Sequence, residues 1–366
     1  MTFEHGHPSR IGWQLPPFYC PFNQRLIHAK AAELERRAVE WVDAFGIYPD
    51  AVERSWGLAT HSADFSSRII PYGDVEPLLL FIEWNYWANA VDDWQDSDST
   101  PSNTASIIDH SVRLARSIEV PGASMLPKGP MTAALDDLVT RTRAILTPFQ
   151  LRRFSEGARD WLLGASWQTA YAERGMMPSL NDFAAMGALA NGTRFSLTWS
   201  DVANHIHLAP DLLYWQPVQA LTEAAGFIVS ADNDLFSYNK DDLQEPWEQN
   251  LINVLAYQHR CSPWEALPRA VALRDRVMTL FVRLRAQLLR YADEQLGRYL
   301  DSLNHYVAGS IEWQNLAPRY ASPRNRNYYP VEGASFGITW RESPSDPSTE
   351  APPIPALSWW WDCLEA

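Results

Sequence analysis

Four aspartates lie close together where an apolar and aromatic segment ends. Asp92, Asp93, Asp96 and Asp98 follow the run Phe81-Ile-Glu-Trp-Asn-Tyr-Trp-Ala-Asn-Ala-Val. On a helix, Asp92 and Asp96 are one turn apart and share a face, with Asp93 beside them. Carboxylates crowded in this way repel one another unless a cation lies between them, and Mg²⁺ prefers such hard oxygen ligands together with substrate phosphates. The cluster therefore indicates a Mg²⁺ site.

The competing interpretation of this cluster is a solvated acidic helix end that runs into a polar loop. Two features weigh against it. Aspartates at the C-terminal end of a helix are disfavoured by the helix dipole, so acids gathered there call for another reason. The helical face below Asp92 also carries Ala88, Trp84 and Phe81. An aromatic wall that leads to carboxylates is typical of a pocket with a charged rim.

A second polar stripe occurs further along the chain. Asn233, Ser237 and Asp241 follow one another at intervals of one helical turn, so they share a stripe. An amide oxygen, a hydroxyl and a carboxylate form a second set of hard ligands, and the neighbouring Lys240 could reach a phosphate. The alternative is an ordinary polar helix end. The preceding segment 221–231 is apolar and rich in small residues, as in a buried helix, where polar groups need partners.

The rest of the sequence supplies the helices that must position these stripes. From about Leu26, apolar residues recur every three to four positions, and Pro and Gly fall mainly between such segments. This pattern predicts few strands and one all-α domain over 26–320. An extended N-terminal arm over 1–25 and a Pro- and Trp-rich tail over 321–366, which docks on the body or on a partner, complete the chain. The predicted helices cover roughly 26–46, 75–94, 102–118, 131–147, 149–174, 179–206, 209–240, 248–257 and 263–317.

Composition excludes several classes of protein. The 366 residues carry 30 Lys+Arg against 44 Asp+Glu, a net charge of −14, which disfavours binding to nucleic-acid phosphates. The 17 Trp indicate a wide core or an aromatic surface kept for a ligand. The three Cys are far apart and suggest neither a metal site nor a disulfide framework. Because no signal pattern or membrane-spanning apolar run appears, we expect a cytoplasmic protein.

Taken together, the motifs resemble those of bacterial class I terpene synthases, or terpene cyclases. The aspartate-rich DDxxD motif of that family is matched by residues 92–96, and its NSE motif by residues 233–241. Asn250-Leu251 follows the second motif, as is common in the family, and Trp313 precedes an Arg319-Tyr320 pair. The DDxxD pattern alone is short, but three motifs in this order are specific. The resemblance covers roughly residues 15–320.

The resemblance implies an all-α class I terpenoid synthase bundle around a central active-site cavity, with three bound Mg²⁺ ions. Asp92 with Asp96 would hold two of them, and Asp93 belongs to the same ligand set. Asn233, Ser237 and Asp241 would hold the third ion, and Lys240, Arg319 and Tyr320 would contact the diphosphate of the substrate. The residues expected to line the cavity are Phe81, Trp84, Ala88, Gly192, Phe195, Trp199 and Trp313.

The sequence departs from the family pattern at two places. The last position of the NSE motif is Asp241 rather than Glu, so the carboxylate has a shorter reach. The family also places a diphosphate-sensing Arg upstream, where this chain has Gly187. Arg194 either substitutes for that Arg from the next helical segment or is structural. Gly192 stands where the family breaks this helix to present a backbone carbonyl, so Asn191-Gly192 is the expected break.

The function implied is ionisation of a linear isoprenyl diphosphate, farnesyl or geranylgeranyl diphosphate, followed by cyclisation of the carbocation to a sesquiterpene or diterpene. A chain-elongating prenyltransferase is an alternative, but it would need a second aspartate-rich motif at 233–241. A non-catalytic helical protein that binds prenyl diphosphates is another, which the missing sensor Arg favours. The partner in each case is a small-molecule diphosphate. A homodimer is common in the family, and no residue here demonstrates one.

Overall fold

The computed structural model describes residues 14–22, 26–95, 103–123, 125–238, 248–322 and 329–365. Nearly all regular structure in these ranges is helical, which confirms the predicted all-α fold. The helices are α1 (Ala31–Phe45), α2 (Ala51–Leu58), α3 (Ser62–Ile69), α4 (Val75–Gln95), α5 (Thr104–Glu119), α6 (Pro130–Ile145), α7 (Pro148–Glu173), α8 (Leu180–Ala190), α9 (Thr193–Ala203), α10 (Pro210–Leu213), α11 (Gln216–Ser237), α12 (Leu251–His259), α13 (Pro263–Leu289), α14 (Glu294–Leu316), α15 (Pro318–Ala321) and α16 (Pro355–Ser358), with a 3₁₀ turn at Trp361–Cys363.

Local sequence explains where several helices begin and end. Helices α7 and α13 each begin with a capping box, Thr147 with Gln150 and Ser262 with Glu265, followed by Pro at the first turn. Helix α1 ends at Gly46, whose φ of 63° is left-handed. These signals place the helix boundaries within a few residues of the predicted ones.

Three long predicted segments are each divided in the structure. The segment 179–206 becomes α8 and α9, separated at Asn191-Gly192 as expected, with Gly192 at φ 65°. The segment 209–240 becomes α10 and α11, and 263–317 becomes α13 and α14. The short helices α2 and α3 had no counterpart among the predictions, since eight residues hold too few turns for a clear apolar period.

Helices α4 and α11 bring the two acidic motifs into one bundle. Helix α4 packs against α1, α3, α6 and α9, and α11 packs against α8, α13 and α14. Most of α11 is buried, from Val218 to Ser237, so its polar C-terminal stripe lies at the end of a central helix. The predicted segment 221–231 is accordingly a buried helix.

The N-terminal arm and the C-terminal tail meet on the surface of the bundle. The two-residue strands β1 (Phe18–Tyr19) and β2 (Trp340–Arg341) pair in parallel, and Phe18 stacks on Phe236 of α11 with centroids 5.1 Å apart. Further along the tail, α16 packs on α8, and Trp360 donates to Glu223 of α11 at 3.3 Å. The tail thus docks on the body. No helix in the described ranges has the length and apolar character needed to cross a membrane.

Candidate active site

A cavity of about 370 Å³ lies among α3, α4, α7, α8, α9, α11 and α14. Much of its wall is aromatic, and polar groups converge where α4 and α11 end. The aromatic lining residues are Phe65, Trp84, Trp87, Trp161, Trp167, Phe183, Phe195, Tyr306, Trp313 and Tyr320. A concave, largely apolar space with a small set of convergent polar groups is typical of a site for a small molecule.

Residues from all three sequence motifs line this cavity. Asp92 comes from the end of α4, Asn233 from the end of α11, and Tyr320 from α15. The Nδ2 of Asn233 donates to the hydroxyl of Tyr320 at 2.9 Å. Because the amide nitrogen is engaged in this way, the amide oxygen is the atom that Asn233 offers to a cation. We call Asp92, Asn233 and Tyr320 the polar end of the cavity.

Asp93 is bound by Arg319 instead of facing the cavity. The two guanidinium nitrogens Nη1 and Nη2 donate to the two carboxylate oxygens at 2.9 and 2.7 Å, and Asp93 does not line the cavity. Burial opposes the charge of Arg319, but the charge and hydrogen bonds of Asp93 outweigh that effect and hold the pKa of Arg319 above its ordinary value. Both oxygens of Asp93 thus accept from Arg319 in this arrangement, and its expected role as a metal ligand stays a prediction.

Of the other motif residues, the structure describes Ser237 but not Asp96, Lys240 or Asp241. Ser237 is buried, 5% exposed, and does not line the cavity. Asp96, Lys240 and Asp241 lie outside the described residues. Within the described ranges, no three His, Cys, Asp or Glu side chains come together as a metal cluster. The carboxylate of Asp92 and the amide oxygen of Asn233 are nevertheless hard donors of the kind Mg²⁺ takes, so the donors present fit that ion.

Five of the expected lining residues face the cavity and two do not. Trp84, Ala88, Gly192, Phe195 and Trp313 line it. Phe81 and Trp199 are wholly buried behind this wall, where their rings stack at 6.3 Å. Their placement corrects the expectation: both rings contact Phe154 or Phe195 and support the wall from the protein side. Sequence reasoning missed Trp161 and Trp167 of α7.

Arg194 does not reach the cavity. Its Nη1 lies 3.0 Å from Asp160 Oδ2 and its Nη2 lies 3.9 Å from Glu223 Oε1, and the side chain is half exposed. It lies in a separate, smaller cleft with Glu223 and Tyr299. Of the two alternatives for Arg194, this placement agrees with the structural one, since two carboxylates hold it away from the cavity. Gly187 lines the cavity, and a Cβ built there would meet nothing within 4 Å.

The break between α8 and α9 is fixed by contacts on both sides. Asn191 Oδ1 accepts from the backbone nitrogen of Thr193 at 3.0 Å, and the Thr193 hydroxyl lies 3.0 Å from the Tyr306 hydroxyl of α14. A Cβ at Gly226 of α11 would approach the Thr193 hydroxyl oxygen to 2.8 Å. Only glycine fits that crossing without a shift, so α11 passes close to the break.

Comparison with known proteins gives one consistent family. Residues 83–279 match the family described as terpene synthase family 2, C-terminal metal binding. Bonnadiene synthase of Allokutzneria albata is 31% identical over 95% of this chain and 97% of its own length. Spiroviolene synthase of Streptomyces violens is 32% identical over 95% of this chain and 96% of its own.

Solved structures agree with this result. The crystal structure of the SVS_A2 protein, from ancestral sequence reconstruction, is 34% identical with a TM-score of 0.83, covering 95% of this chain and 99% of that one. The crystal structure of α-eudesmol synthase, 17% identical with a TM-score of 0.71, covers 82% of this chain and 98% of its own, and shares the fold. With its motifs gathered around one aromatic cavity, the chain belongs to the bacterial class I terpene synthases.

Proposed function

We propose that this terpene synthase is a Mg²⁺-dependent cyclase of a linear isoprenyl diphosphate with 15 or 20 carbons, and that it releases diphosphate and a cyclic sesquiterpene or diterpene. One observation carries the proposal. Asp92 and Asn233, from helices far apart in the sequence, line the polar end of a cavity whose other walls are largely aromatic. A diphosphate fits the polar end and a hydrocarbon chain fits the aromatic part.

The polar end would bind the leaving group. Mg²⁺, held by Asp92 and Asn233 with Asp96, Ser237 and Asp241, would supply positive charge that neutralises the departing diphosphate. Three ions are the number that the family resemblance implies. Tyr320 presents a hydroxyl beside Asn233, and Arg319 adjoins it with a buried positive charge. Donors fixed in advance stabilise developing negative charge without a cost of reorganisation.

The aromatic wall would protect the carbocation that ionisation leaves. Rings that line the site would exclude water that quenches the cation early. Each ring face also attracts a positive charge, by about 0.5–2 kcal/mol when water is excluded. Trp313 is firmly oriented for this role, because its Nε1 donates to the backbone oxygen of Thr60 at 2.6 Å and its ring packs on Phe65 at 4.7 Å.

The names of relatives are consistent with both a 15-carbon and a 20-carbon substrate. A (+)-T-muurolol synthase of Streptomyces clavuligerus, whose name specifies cyclisation of farnesyl diphosphate, is 28% identical to this chain. A diterpene cyclase of a Streptomyces species is 25% identical. These names leave the substrate between the two chain lengths. A cytoplasmic location and a homodimer stay predictions of the sequence and the family resemblance.

The test is an assay of purified protein with Mg²⁺ and geranyl, farnesyl or geranylgeranyl diphosphate in separate reactions. Diphosphate release and organic products are measured together, the products by gas chromatography and mass spectrometry. We expect a cyclic product from farnesyl or geranylgeranyl diphosphate, and loss of at least about a hundred-fold in rate on Asp92→Ala or Asn233→Ala. Leu163→Ala, an exposed change on α7, is the control. If every diphosphate remains intact, the proposal is wrong.

A further inference from the structure

Three carboxamide side chains interrupt the apolar wall of the cavity. Asn191, Gln249 and Gln314 all line it, and each has one buried terminal atom that finds no hydrogen-bond partner among the described residues. In two of them the other terminal atom is used: Asn191 Oδ1 accepts from Thr193, and Gln249 Nε2 donates to the Gln168 carbonyl at 2.8 Å. Gln314 differs, because its carboxamide makes no hydrogen bond with any residue of the described ranges.

Gln314 stands at a fixed place on this wall. On α14 it follows Trp313 directly and lies eight residues beyond Tyr306, so the three residues fall within one helical face about 100° wide. All three line the cavity, and Gln314 is only 1% exposed. Trp313 and Tyr306 are held by their hydrogen bonds to Thr60 and Thr193. The part of α14 that leads to Gln314 is therefore held in place.

A buried carboxamide without partners is costly at a purely structural position. Leucine or methionine would fill the same volume without leaving an unpaired oxygen. A polar group retained in such a place needs a compensating interaction from something that enters the cavity. The hydrocarbon chain of an isoprenyl substrate offers no hydrogen-bond donor, but it carries positive charge once the diphosphate has left. Because no hydrogen bond holds the carboxamide, it can turn the negative end of its carbonyl dipole toward that charge.

We propose that Gln314 is a specificity-determining residue of the cyclisation: its carbonyl dipole stabilises positive charge on the part of the substrate chain beside Trp313 and so favours one cyclisation branch. This inference rests on the proposed function. The aromatic rings attract a cation over broad faces on several sides of the cavity. A single carbonyl acts at one point, and a charge–dipole contact in a water-poor site strengthens as the local dielectric falls. Gln314 therefore selects among cations more sharply than the rings do.

The experiment compares Gln314→Met, which keeps the length and removes both polar atoms, with the unchanged protein. The accepted diphosphate is supplied, and both the product ratio and the rate of diphosphate release are measured. We expect the ratio of the main product to the side products to fall about ten-fold, as for loss of one hydrogen bond to a charged group. Diphosphate release, which precedes the branch, should change less than about three-fold.

Two further variants show whether a change in the product ratio comes from the lost carbonyl dipole or from altered packing. Asn304→Leu is the matched control, because Asn304 also lies on α14 with an unpaired buried Oδ1 but does not line the cavity; it should leave the product ratio unchanged. Gln314→Glu keeps a carbonyl oxygen in the same volume and should restore the main product at least in part. The inference is overturned if Gln314→Met gives the original product ratio, or if Gln314→Glu gives the same altered ratio as Gln314→Met.

Failure of this inference can be told from failure of the proposed function. If the unchanged protein releases no diphosphate from any isoprenyl substrate, the proposed function is wrong and Gln314 loses its role with it. If the unchanged protein forms cyclic products and Gln314→Met forms the same mixture, only the inference about Gln314 is wrong. A thermal unfolding midpoint of Gln314→Met at or above that of the unchanged protein, as expected on removing an unpaired polar group, shows that the fold is retained.

Discussion

Arg319 and Asp93 are joined by two hydrogen bonds, 2.9 and 2.7 Å long, although they lie 226 positions apart in the sequence. The pair ties the end of α4 to α15, directly beside Asp92 and Tyr320 of the polar end. Arg319 is nearly buried and Asp93 is one-fifth exposed, so water screens the pair only in part. A diphosphate that draws on the charge of Arg319 would therefore compete with Asp93. The acidic motif thus contributes a cavity-lining carboxylate, Asp92, and a carboxylate that holds an arginine.

Breaking this pair from one side should destabilise the protein. Asp93→Asn leaves the buried Arg319 without its counter-charge, and we expect the free energy of unfolding to fall by about 2–3 kcal/mol. Arg319→Gln should cost a similar amount, since it leaves Asp93 facing an uncharged partner. The double variant should cost clearly less than the sum of the two single variants, because both changes remove one interaction. Urea unfolding of the four proteins measures the coupling, and strictly additive losses would contradict it.

The hydrogen bond from Asn233 to Tyr320 should orient the amide of Asn233 for a metal ion. Tyr320→Phe removes the acceptor hydroxyl, and the amide can then rotate so that either end faces the ion. We expect the Mg²⁺ concentration for half-maximal activity to rise by about ten-fold, as for loss of a partner that orients a metal ligand. Activity measured over a series of Mg²⁺ concentrations provides the test.

The control for Tyr320→Phe is Tyr299→Phe. Tyr299 is a buried tyrosine of α14 whose hydroxyl lies 2.8 Å from that of Thr222, and it belongs to the smaller cleft instead of the cavity. Its variant should show an unchanged Mg²⁺ requirement. Equal shifts in the two variants would mean that loss of a buried hydroxyl disturbs the fold generally, and the orienting role of Tyr320 would be wrong.

For Arg194 we expect a substitution to have little effect on activity. Because its guanidinium pairs with Asp160 and Glu223 away from the cavity, Arg194→Gln should keep turnover within about two-fold of the unchanged protein and should cost little stability, as half-exposed ion pairs do. Product formation under saturating substrate is the measurement. A loss of turnover greater than ten-fold would mean that Arg194 turns into the cavity when substrate binds.

Part of this arrangement was predictable from the sequence, and the rest depended on packing. The apolar period predicted α4 and α11. The spacing of Asp92 and Asp96, and that of Asn233 and Ser237, predicted a polar stripe at the end of each helix. Periodicity shows which residues share a helical face, but not whether that face meets a cavity or another helix. For this reason Phe81 was expected in the wall, where it is a buried support, and Trp161 and Trp167 were missed. Pairing between Asp93 and Arg319 leaves no trace in local spacing.

The strands β1 and β2 could not be predicted from the sequence, for a different reason. With two residues each, they are too short for an alternating pattern. The contact that holds β1 on the bundle, the stacking of Phe18 on Phe236 of the buried helix α11, joins residues far apart in the sequence. The sequence also left open whether the tail docks on the body or on a partner. In the structure it docks on the body, where Leu357 and Trp360 are buried.

Glu83 of α4 predicts how stability depends on pH. Its side chain is nearly buried with Arg141 Nη1 at 2.6 Å from Oε2, and burial raises the pKa of Glu83 to about 7 despite the charge of Arg141. The unfolded chain has a lower pKa, near 4.3, so the folded state binds the proton more tightly. The stability associated with this proton is fully present below about pH 4 and is lost as the pH rises through about 7.

Glu83→Gln mimics the protonated form at every pH and should remove this dependence. Near pH 4.5 the variant and the unchanged protein should unfold with similar free energies, and near pH 8 the variant should be more stable, by an amount on the order of 2–3 kcal/mol. Urea unfolding at both pH values gives the comparison. Glu76→Gln is the control, because two hydrogen bonds from Arg37 lower the pKa of the exposed Glu76. A lowered pKa stabilises the folded state at high pH, so this variant should be less stable, not more stable, than the unchanged protein near pH 8. A Glu83→Gln difference that stays constant with pH would mean that folding does not raise the pKa of Glu83.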